Sequence, residues 1–464
     1  MAKIYLFNTL SRKKEEFKPI KKGQVGLYTC GPTVYWYQHI GNLRAYIFAD
    51  TLKRILEYNK LKVKHVINVT DVGHLTSDAD LGEDKIEKAA KKEHKSAKEI
   101  ASHYFNEFKS DLKKLNIIEP EIWSKATEHI KEQIELIKKL EKKGYTYKTS
   151  DGIYFDSSKF KDYGKLAKLK IAGLKAGKRI KVGEKKNKTD FALWKFSEEP
   201  GKRQQEWPSP WGIGFPGWHI ECSAMSMKYL GENFDIHTGG EDHIAIHHTN
   251  EIAQSEAATG KKFVNYWLHV AFLIHKGKKV SKSTGGLATI SELEKEGFPA
   301  MVYRYFCLQT HYRKQLNFAT ENLEAAKIAY QRIERKISEL RNEKHKGKDK
   351  TEEYEKQFIE AINDDLNTPK ALQIFHNTLD DFDFDPKKKL KLLENFGKAL
   401  GLSIKKMQEV TVIAPKEIEK LIEAREKLRK EKLWAEADVL RERIKEKGYN
   451  ILDTPQGPKL EKIK

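Results

Sequence analysis

The chain has 464 residues, 39% of them hydrophobic, which is length and apolar content enough for about two to four domains with sizeable cores. Lys and Arg outnumber Asp and Glu by 87 to 67, and the resulting net charge of +20 suits a polyanionic partner. No apolar run approaches the length that crosses a bilayer, Met1–Tyr5 lacks a signal-peptide core, and the three cysteines (Cys30, Cys222 and Cys307) are too few and too odd for a disulfide framework. A soluble, cytoplasmic protein with reduced thiols and no membrane contact is therefore expected. Part of the charge is mixed Lys/Glu sequence, as in Lys85–Lys98 and Arg341–Lys356, and such runs are solvated helix faces.

The first half reads as α/β. Val25–Tyr28 is a short buried strand, and Leu43, Ile47, Leu52, Ile55 and Leu56 recur at helical spacing beyond it. The corner between them, Thr29-Cys30-Gly31-Pro32-Thr33-Val34-Tyr35-Trp36-Tyr37-Gln38-His39-Ile40-Gly41-Asn42, is the kind of strand-to-helix turn that holds nucleotide phosphates. Val63–Thr70 reads as a second strand. Ile100, Tyr104 and Phe108 mark one helix, and Ile130, Ile134, Ile137 and Leu140 another. Tyr145–Phe155 alternates like a hairpin broken at Asp151-Gly152. Lys165–Lys188 is basic, dotted with Gly and weakly periodic, and reads as a mobile insertion. A second α/β portion begins near Asp190, with strands at Phe234–His237 and Phe272–His275 and a helix at Ile252–Ala258. Glu321–Leu400 is helical, Ile413–Lys447 adds two more helices, and Gly448–Lys464 reads as a turn-rich end. Cys307, in the apolar pattern Tyr303–Leu308, reads as a core thiol.

Two segments carry chemistry. His39-Ile40-Gly41-Asn42 sits at the first corner, and Lys278–Gly286 places Lys282 between two serines, ahead of glycines, where an ammonium group can follow developing phosphate charge. Cys30, Cys222, His247 and Glu251 are zinc-type donors, with His247 and Glu251 at i, i+4 on one helix face. Their spacing alone does not separate metal ligands from packed thiols and a helix-surface pair.

Together, His39–Asn42 and Lys278–Gly286 resemble the HIGH and KMSKS signatures of class I aminoacyl-tRNA synthetases. Gly240-Glu241-Asp242 with His247 resembles the G-x-D-x-x-x-H element of that superfamily. Longer blocks resemble the cysteinyl-tRNA synthetase family over nearly the whole chain: Tyr28–Tyr35, Trp211–Met225, His247–Ser255, Asn265–His269 and Asn363–Pro369. Leu433–Arg441 and Leu452–Pro458 resemble that family's anticodon-binding end. Asn42, Val280, Thr284–Gly286, Phe215 and Thr70–His74 depart from the family pattern, Phe215 standing where a basic residue is usual.

The resemblance implies a Rossmann-like parallel-sheet catalytic domain with an inserted connective segment, followed by an α-helical C-terminal tRNA-binding region. Residues 1–125 would form the first half of the catalytic domain and 126–189 the connective insertion. The second half, with the zinc site and the lysine loop, would be 190–285, and 286–320 a stem-contact region. A helical bundle at 321–402 and an anticodon-binding domain at 403–464 would complete a monomer. It further implies a cysteine–tRNA ligase that activates L-cysteine with ATP and Mg²⁺ and transfers it to the 3′-terminal ribose of tRNA(Cys). Cys30, Cys222, His247 and Glu251 would bind one zinc ion, which selects the substrate thiolate. His39 and Asn42 would contact the ATP phosphates, Asp242 the ribose, Lys282 the phosphates during adenylate formation, and Trp218 would wall the amino-acid pocket; His39 and Lys282 would be the catalytic pair. Two alternatives share these motifs: the cysteine-adding ligase of mycothiol biosynthesis, which lacks the C-terminal region, and a catalytically inactive RNA-binding paralogue.

Overall fold

The computed structural model describes residues 2–73, 84–168, 184–275, 278–279, 288–407, 415–454 and 457–462. Its centre is a five-stranded sheet in the order Val264–Val270, Phe234–Gly240, Gln24–Thr29, Lys62–Val69 and Ile122–Lys125. Every neighbouring pair is parallel. Parallel strands are covered on both faces, so they read as apolar runs; Tyr28, Val66, Ile236 and Leu268 are all fully buried.

Strand order sets where the site falls. From Gln24–Thr29 the first half of the chain winds outward through Lys62–Val69 to Ile122–Lys125, while Phe234–Gly240 and Val264–Val270 fill the other side. The winding therefore reverses between Gln24–Thr29 and Phe234–Gly240, and the crevice beyond the carboxyl ends of two such strands is where open α/β sheets bind ligands. Cys30 and Gly240 stand at that crevice. Gly31 is needed there because a Cβ on it would lie 1.5 Å from the Asn68 carbonyl oxygen. With no side chain in the way, its N–H reaches Asn68 Oδ1 at 2.7 Å.

Helix Ile40–Tyr58 follows the corner. Arg44 on its buried face donates at 2.7 Å to the carbonyls of Ala271, Phe272 and Lys314, tying it to the chain that leaves the last parallel strand. Asp50, also buried, accepts from Arg304 at 2.5 Å, Arg54 at 2.7 Å and the Ile118 N–H at 2.8 Å. Burial alone would raise its pKa, but Arg304 and Arg54 outweigh this and hold the carboxyl below its ordinary value.

Between the two halves, an antiparallel sheet runs Thr146–Lys148, Gly152–Phe155, Phe191–Phe196 and Gly214–Pro216. The expected hairpin is its first pair. Phe155, Leu193 and Trp194 pack with Ile137 and Leu140 of helix Ile130–Lys142 and with Ile220 of helix Trp218–Leu230. Most of the basic insertion, residues 169–183, lies outside the described residues, as does His74. Cys307 is buried in helix Ala300–Leu308, and burial pushes its thiol up to about 11, as suits a core thiol.

Residues 334–342 and 406–464 form a second compact unit. It contains helices Lys416–Lys430 and Trp434–Glu446 over a core of Ile418, Ile444 and Ile451. The terminal segment differs from the turn-rich reading: Tyr449–Thr454 and Gly457–Lys462 pair antiparallel. Gly457 and Pro458 begin the second strand, and alternation along the pair puts Ile451 into the core. Arg425, 1% exposed, donates in parallel to both oxygens of Asp453 at 2.8 and 2.9 Å, which fixes the hairpin on the first helix.

Asp50→Ala leaves the Arg304 guanidinium buried without its carboxylate and is expected to cost about 3–5 kcal/mol, read as a lower urea midpoint. The folded pKa lies below the unfolded value of about 3.9, so this stabilisation is present in full above that value and is lost as pH falls through the folded pKa. Asp50→Asn should flatten that part of the acid-stability profile.

Candidate active site and metal centre

The corner Cys30–Asn42 opens onto a cavity of about 340 Å³. Cys30, His39, Asn42, Trp218 and Asp242 all line it, so five of the expected site residues converge although they are spread over 212 positions, from Cys30 to Asp242. Lys282 and its loop neighbours 280–287 lie outside the described residues.

His39 is the N-cap of helix Ile40–Tyr58, and its Nδ1 accepts the Asn42 N–H at 3.2 Å. In the neutral ring this makes Nε2 the N–H donor. The cap thus presents a donor beside the positive end of a 19-residue helix, an arrangement that attracts phosphate. Tyr303 Oη fixes the first turn by donating to the Ile40 carbonyl at 2.7 Å. Opposite, the Gly239-Gly240 end of its strand passes into the turn Glu241–His243, which carries Asp242 exposed at the cavity. Glu241 braces that turn by accepting the Phe272 N–H at 3.0 Å.

Cys30 belongs to both the cavity and a buried cluster below it. Its Sγ, the Sγ of Cys222 and one ligand atom each of His247 and Glu251 lie within 4.8 Å of one another. Cys222 comes from helix Trp218–Leu230, and His247 and Glu251 from one face of helix His247–Thr259. Sequence reasoning missed the other half of the cluster. His237, on strand Phe234–Gly240, meets Glu251 Oε2 at 2.9 Å, and His248 Nε2 meets Cys30 Sγ at 3.2 Å. His248 continues to His269 at 2.7 Å, and His269 to Thr9 Oγ1 at 2.8 Å. His219 Nδ1 lies 2.9 Å from His247 Nδ1. The adjacent His247-His248 pair was the available signal, since consecutive helix positions face different partners.

The electrostatics suit a cation. Burial opposes ionisation of Glu251, but His237 and His247 hold its carboxyl down at about 2. Despite burial, Glu251 and Cys222 raise His247 to about 10. The Cys30 contact lowers the Cys222 thiol to about 7, while burial pushes the Cys30 thiol well up. The described residues offer two overlapping donor sets: Cys30, Cys222, His247 and Glu251, or Cys30, His237, His248 and Glu251. The first holds both thiols, the softer donors that zinc takes most readily. In that case His237 and His248 are the supports that orient Glu251 and Cys30.

Two departures from the family pattern have structural partners. Phe215 is buried with the Arg203 guanidinium 3.6 Å above its ring, and Arg203 donates to the Gly73 carbonyl at 2.7 Å. Asp71 accepts from the Thr127 N–H at 2.9 Å and its hydroxyl at 2.6 Å, anchoring Thr70–Gly73.

Known proteins share the sequence and fold of this chain. Residues 16–328 match the class I (C) tRNA synthetase catalytic domain, and residues 414–457 match the cysteinyl-tRNA ligase anticodon-binding domain. A Mycobacterium tuberculosis methionyl-tRNA synthetase, solved with methionyl-adenylate, shares the fold at a TM-score of 0.57 and 14% identity, over 81% of this chain and 90% of that one. The catalytic-domain match makes the chain a class I aminoacyl-tRNA synthetase. Cysteine–tRNA ligase 1 of Burkholderia lata is 48% identical over 458 residues, which is 98% of this chain and 96% of that protein. The cysteine–tRNA ligase of Thermococcus gammatolerans is 42% identical over 487 residues, 99% of each. The chain belongs to the cysteine–tRNA ligase family and has its activity, the ATP-dependent joining of cysteine to tRNA. Of the alternatives, an amino-sugar acceptor is disfavoured by the match over residues 414–457. Among the described residues no helix is long and apolar enough to cross a membrane.

If the first donor set holds the metal, Cys222→Ala should abolish binding, whereas His237→Ala, one step removed, should weaken it by about 10–100-fold. Metal analysis during titration with a chelator separates the two. Loss of metal in His237→Ala with Cys222→Ala still binding it would favour the second set.

Proposed function

We propose that the cavity at the strand-order reversal is where cysteine is activated, and that Cys30, Cys222, His247 and Glu251 hold zinc as the reader of the substrate side chain. The convergence of these four donors at a cavity whose rim carries His39, Asn42 and Asp242 is the observation that supports this reading. When bound, zinc supplies a soft Lewis acid that favours a thiolate over a hydroxyl or a methyl group. A shape-selective pocket gains only about 1–3 kcal/mol from so small a difference.

The chain's own side chains do the rest. His39, by its Nε2 donor, and Asn42 bind the ATP phosphates at the helix start, where backbone N–H groups add to the positive end. Asp242 accepts from the ribose hydroxyls. Trp218, half-buried with its ring 4.7 Å from that of His247, forms the wall that keeps the amino acid against the cluster. Mg²⁺ enters with ATP, held by phosphate and water. So oriented, the cysteine carboxylate attacks the α-phosphorus, the bond to the β-phosphate oxygen breaks, and pyrophosphate leaves. Lys282 neutralises the developing phosphate charge. The terminal ribose hydroxyl of tRNA(Cys) then attacks the acyl carbon, AMP leaves, and the hydroxyl proton is released. No side chain acts as a nucleophile; alignment and electrostatic stabilisation carry the rate.

Cysteine-dependent ATP–pyrophosphate exchange tests the reading. The enzyme should exchange with cysteine and not with serine, and should charge tRNA(Cys). Cys222→Ala should lose zinc and raise the cysteine KM together; unchanged metal content with an unchanged KM would refute the ligand assignment. Lys282→Ala should slow adenylate formation by about 10²–10³, the usual loss on removing one transition-state donor, with little change in cysteine binding. Near-normal exchange would remove Lys282 from the mechanism.

A further inference from the structure

The segment between the cavity's Tyr35 and Gln38 turns outward. Tyr35, Gln38 and His39 line the cavity, yet Trp36 and Tyr37 between them are 41% and 39% exposed. The exposed pair is held in place. Buried Tyr104 lies under both, with ring centroids 5.7 Å from Trp36 and 5.1 Å from Tyr37, and its hydroxyl is itself held by Glu93. The two rings stand nearly at right angles to each other.

A basic row runs alongside. Lys85, Lys88 and Lys92 occupy positions i, i+3 and i+7 of helix Lys85–Glu93 and so share a face. Lys85 lines the cavity, and the Lys92 ammonium lies 5.3 Å above the Trp36 ring. Cations therefore lead from the reaction chamber to an aromatic surface at its mouth. Aromatic faces beside a cationic track are how single-stranded nucleic acid is held without base-specific hydrogen bonds, bases on the rings and phosphates on the cations. The net charge of +20 fits the same partner.

We propose that Trp36 and Tyr37, with the Lys85–Lys88–Lys92 row, form a shelf on which the unpaired 3′ nucleotides of tRNA stack as the terminal ribose enters the cavity. This rests on the cavity being the activation site: a strand that delivers its last ribose there must cross the cavity's rim. The shelf acts on the second substrate only, so it affects transfer and leaves amino-acid activation alone.

The experiment uses the full-length enzyme with Trp36→Ala, Trp36→Phe and Tyr37→Ala. Cysteine-dependent exchange without tRNA should stay within about twofold for all three, since none of these side chains meets the activation chemistry. The KM for tRNA should rise about tenfold in Trp36→Ala, within the range of one lost stacking contact, and Trp36→Phe should restore most of it. Against tRNA lacking its unpaired 3′ nucleotides, wild type and Trp36→Ala should bind equally. An unchanged KM in both alanine variants, an equal penalty with the truncated tRNA, or exchange falling in step with charging would overturn the shelf while leaving the activation site standing. No cysteine-dependent exchange by the unaltered enzyme would instead fail the activation site, and the shelf with it.

Discussion

Glu251 is a carboxylate with no exposure to water, and the catalytic body is organised around keeping it charged. An isolated charge in such a place would neutralise or unfold its surroundings. Here His237 and His247 reach it at 2.9 and 3.0 Å from opposite oxygens. Those two contacts come from different elements, a central strand and the helix that carries Glu251 itself. Satisfying the carboxylate therefore fixes helix His247–Thr259 against strand Phe234–Gly240. It also sets the height at which Cys30 and Cys222 enter, from the neighbouring strand end and from helix Trp218–Leu230. The point where these elements meet is the reversal of strand order, so the charge requirement and the topology select the same place.

The cluster is also electrostatically incomplete without a cation. Glu251 is held down at about 2 and the Cys222 thiol at about 7, while His247 is raised to about 10. The Cys30 thiol is pushed well up by burial and by the charge already present on Cys222 and Glu251. A divalent ion removes the conflict, because both thiols can then be thiolates and His247 can give up its proton to become a ligand. Binding metal would release protons from three of the four donors, and affinity would rise with pH until those groups are deprotonated. On the proposed reading, one ion would tie these elements together at the crevice and read the substrate as well.

Much of the fold was legible in the sequence, for physical reasons. Buried parallel strands are continuous apolar runs, which made Val25–Tyr28, Val63–Thr70 and Phe234–His237 readable, and long amphipathic helices declare their period. Ile122–Lys125 was not found, since a four-residue edge strand containing Ser124 and Lys125 has no pattern to read. The hairpin Tyr449–Lys462 was hidden because Pro455, Gly457 and Pro458 read as turn residues, and two-residue alternation is weak in so polar a segment. At the site, Cys30, Cys222, His247 and Glu251 are scattered over the chain and stood out only within longer family-like blocks. His248 and His269 lay in such blocks with no role attached to them, and His237 lacked even that signal. A histidine in an apolar strand looks like a core residue until a buried carboxylate or thiolate is placed beside it, and that placement is a property of the tertiary structure.

On the proposed reading, the short stretch of chain from Cys30 to His39 lets one corner serve two recognition problems. Phosphate recognition needs N–H donors that point outward, and the start of helix Ile40–Tyr58 provides them at the rim. Side-chain recognition needs a desolvated metal-type donor set, and the end of strand Gln24–Thr29 carries Cys30 into the buried cluster. Gly31-Pro32 turns the chain between these environments, with Gly31 pressed so closely on Asn68 that no side chain is tolerated. The helix start would serve any amino acid activated through ATP, whereas Cys30 would serve one that brings a thiol. Specificity so arranged would be confined to residues that leave the phosphate-binding half unaltered, and the class I fold could carry a metal-read amino acid without rebuilding its chemistry.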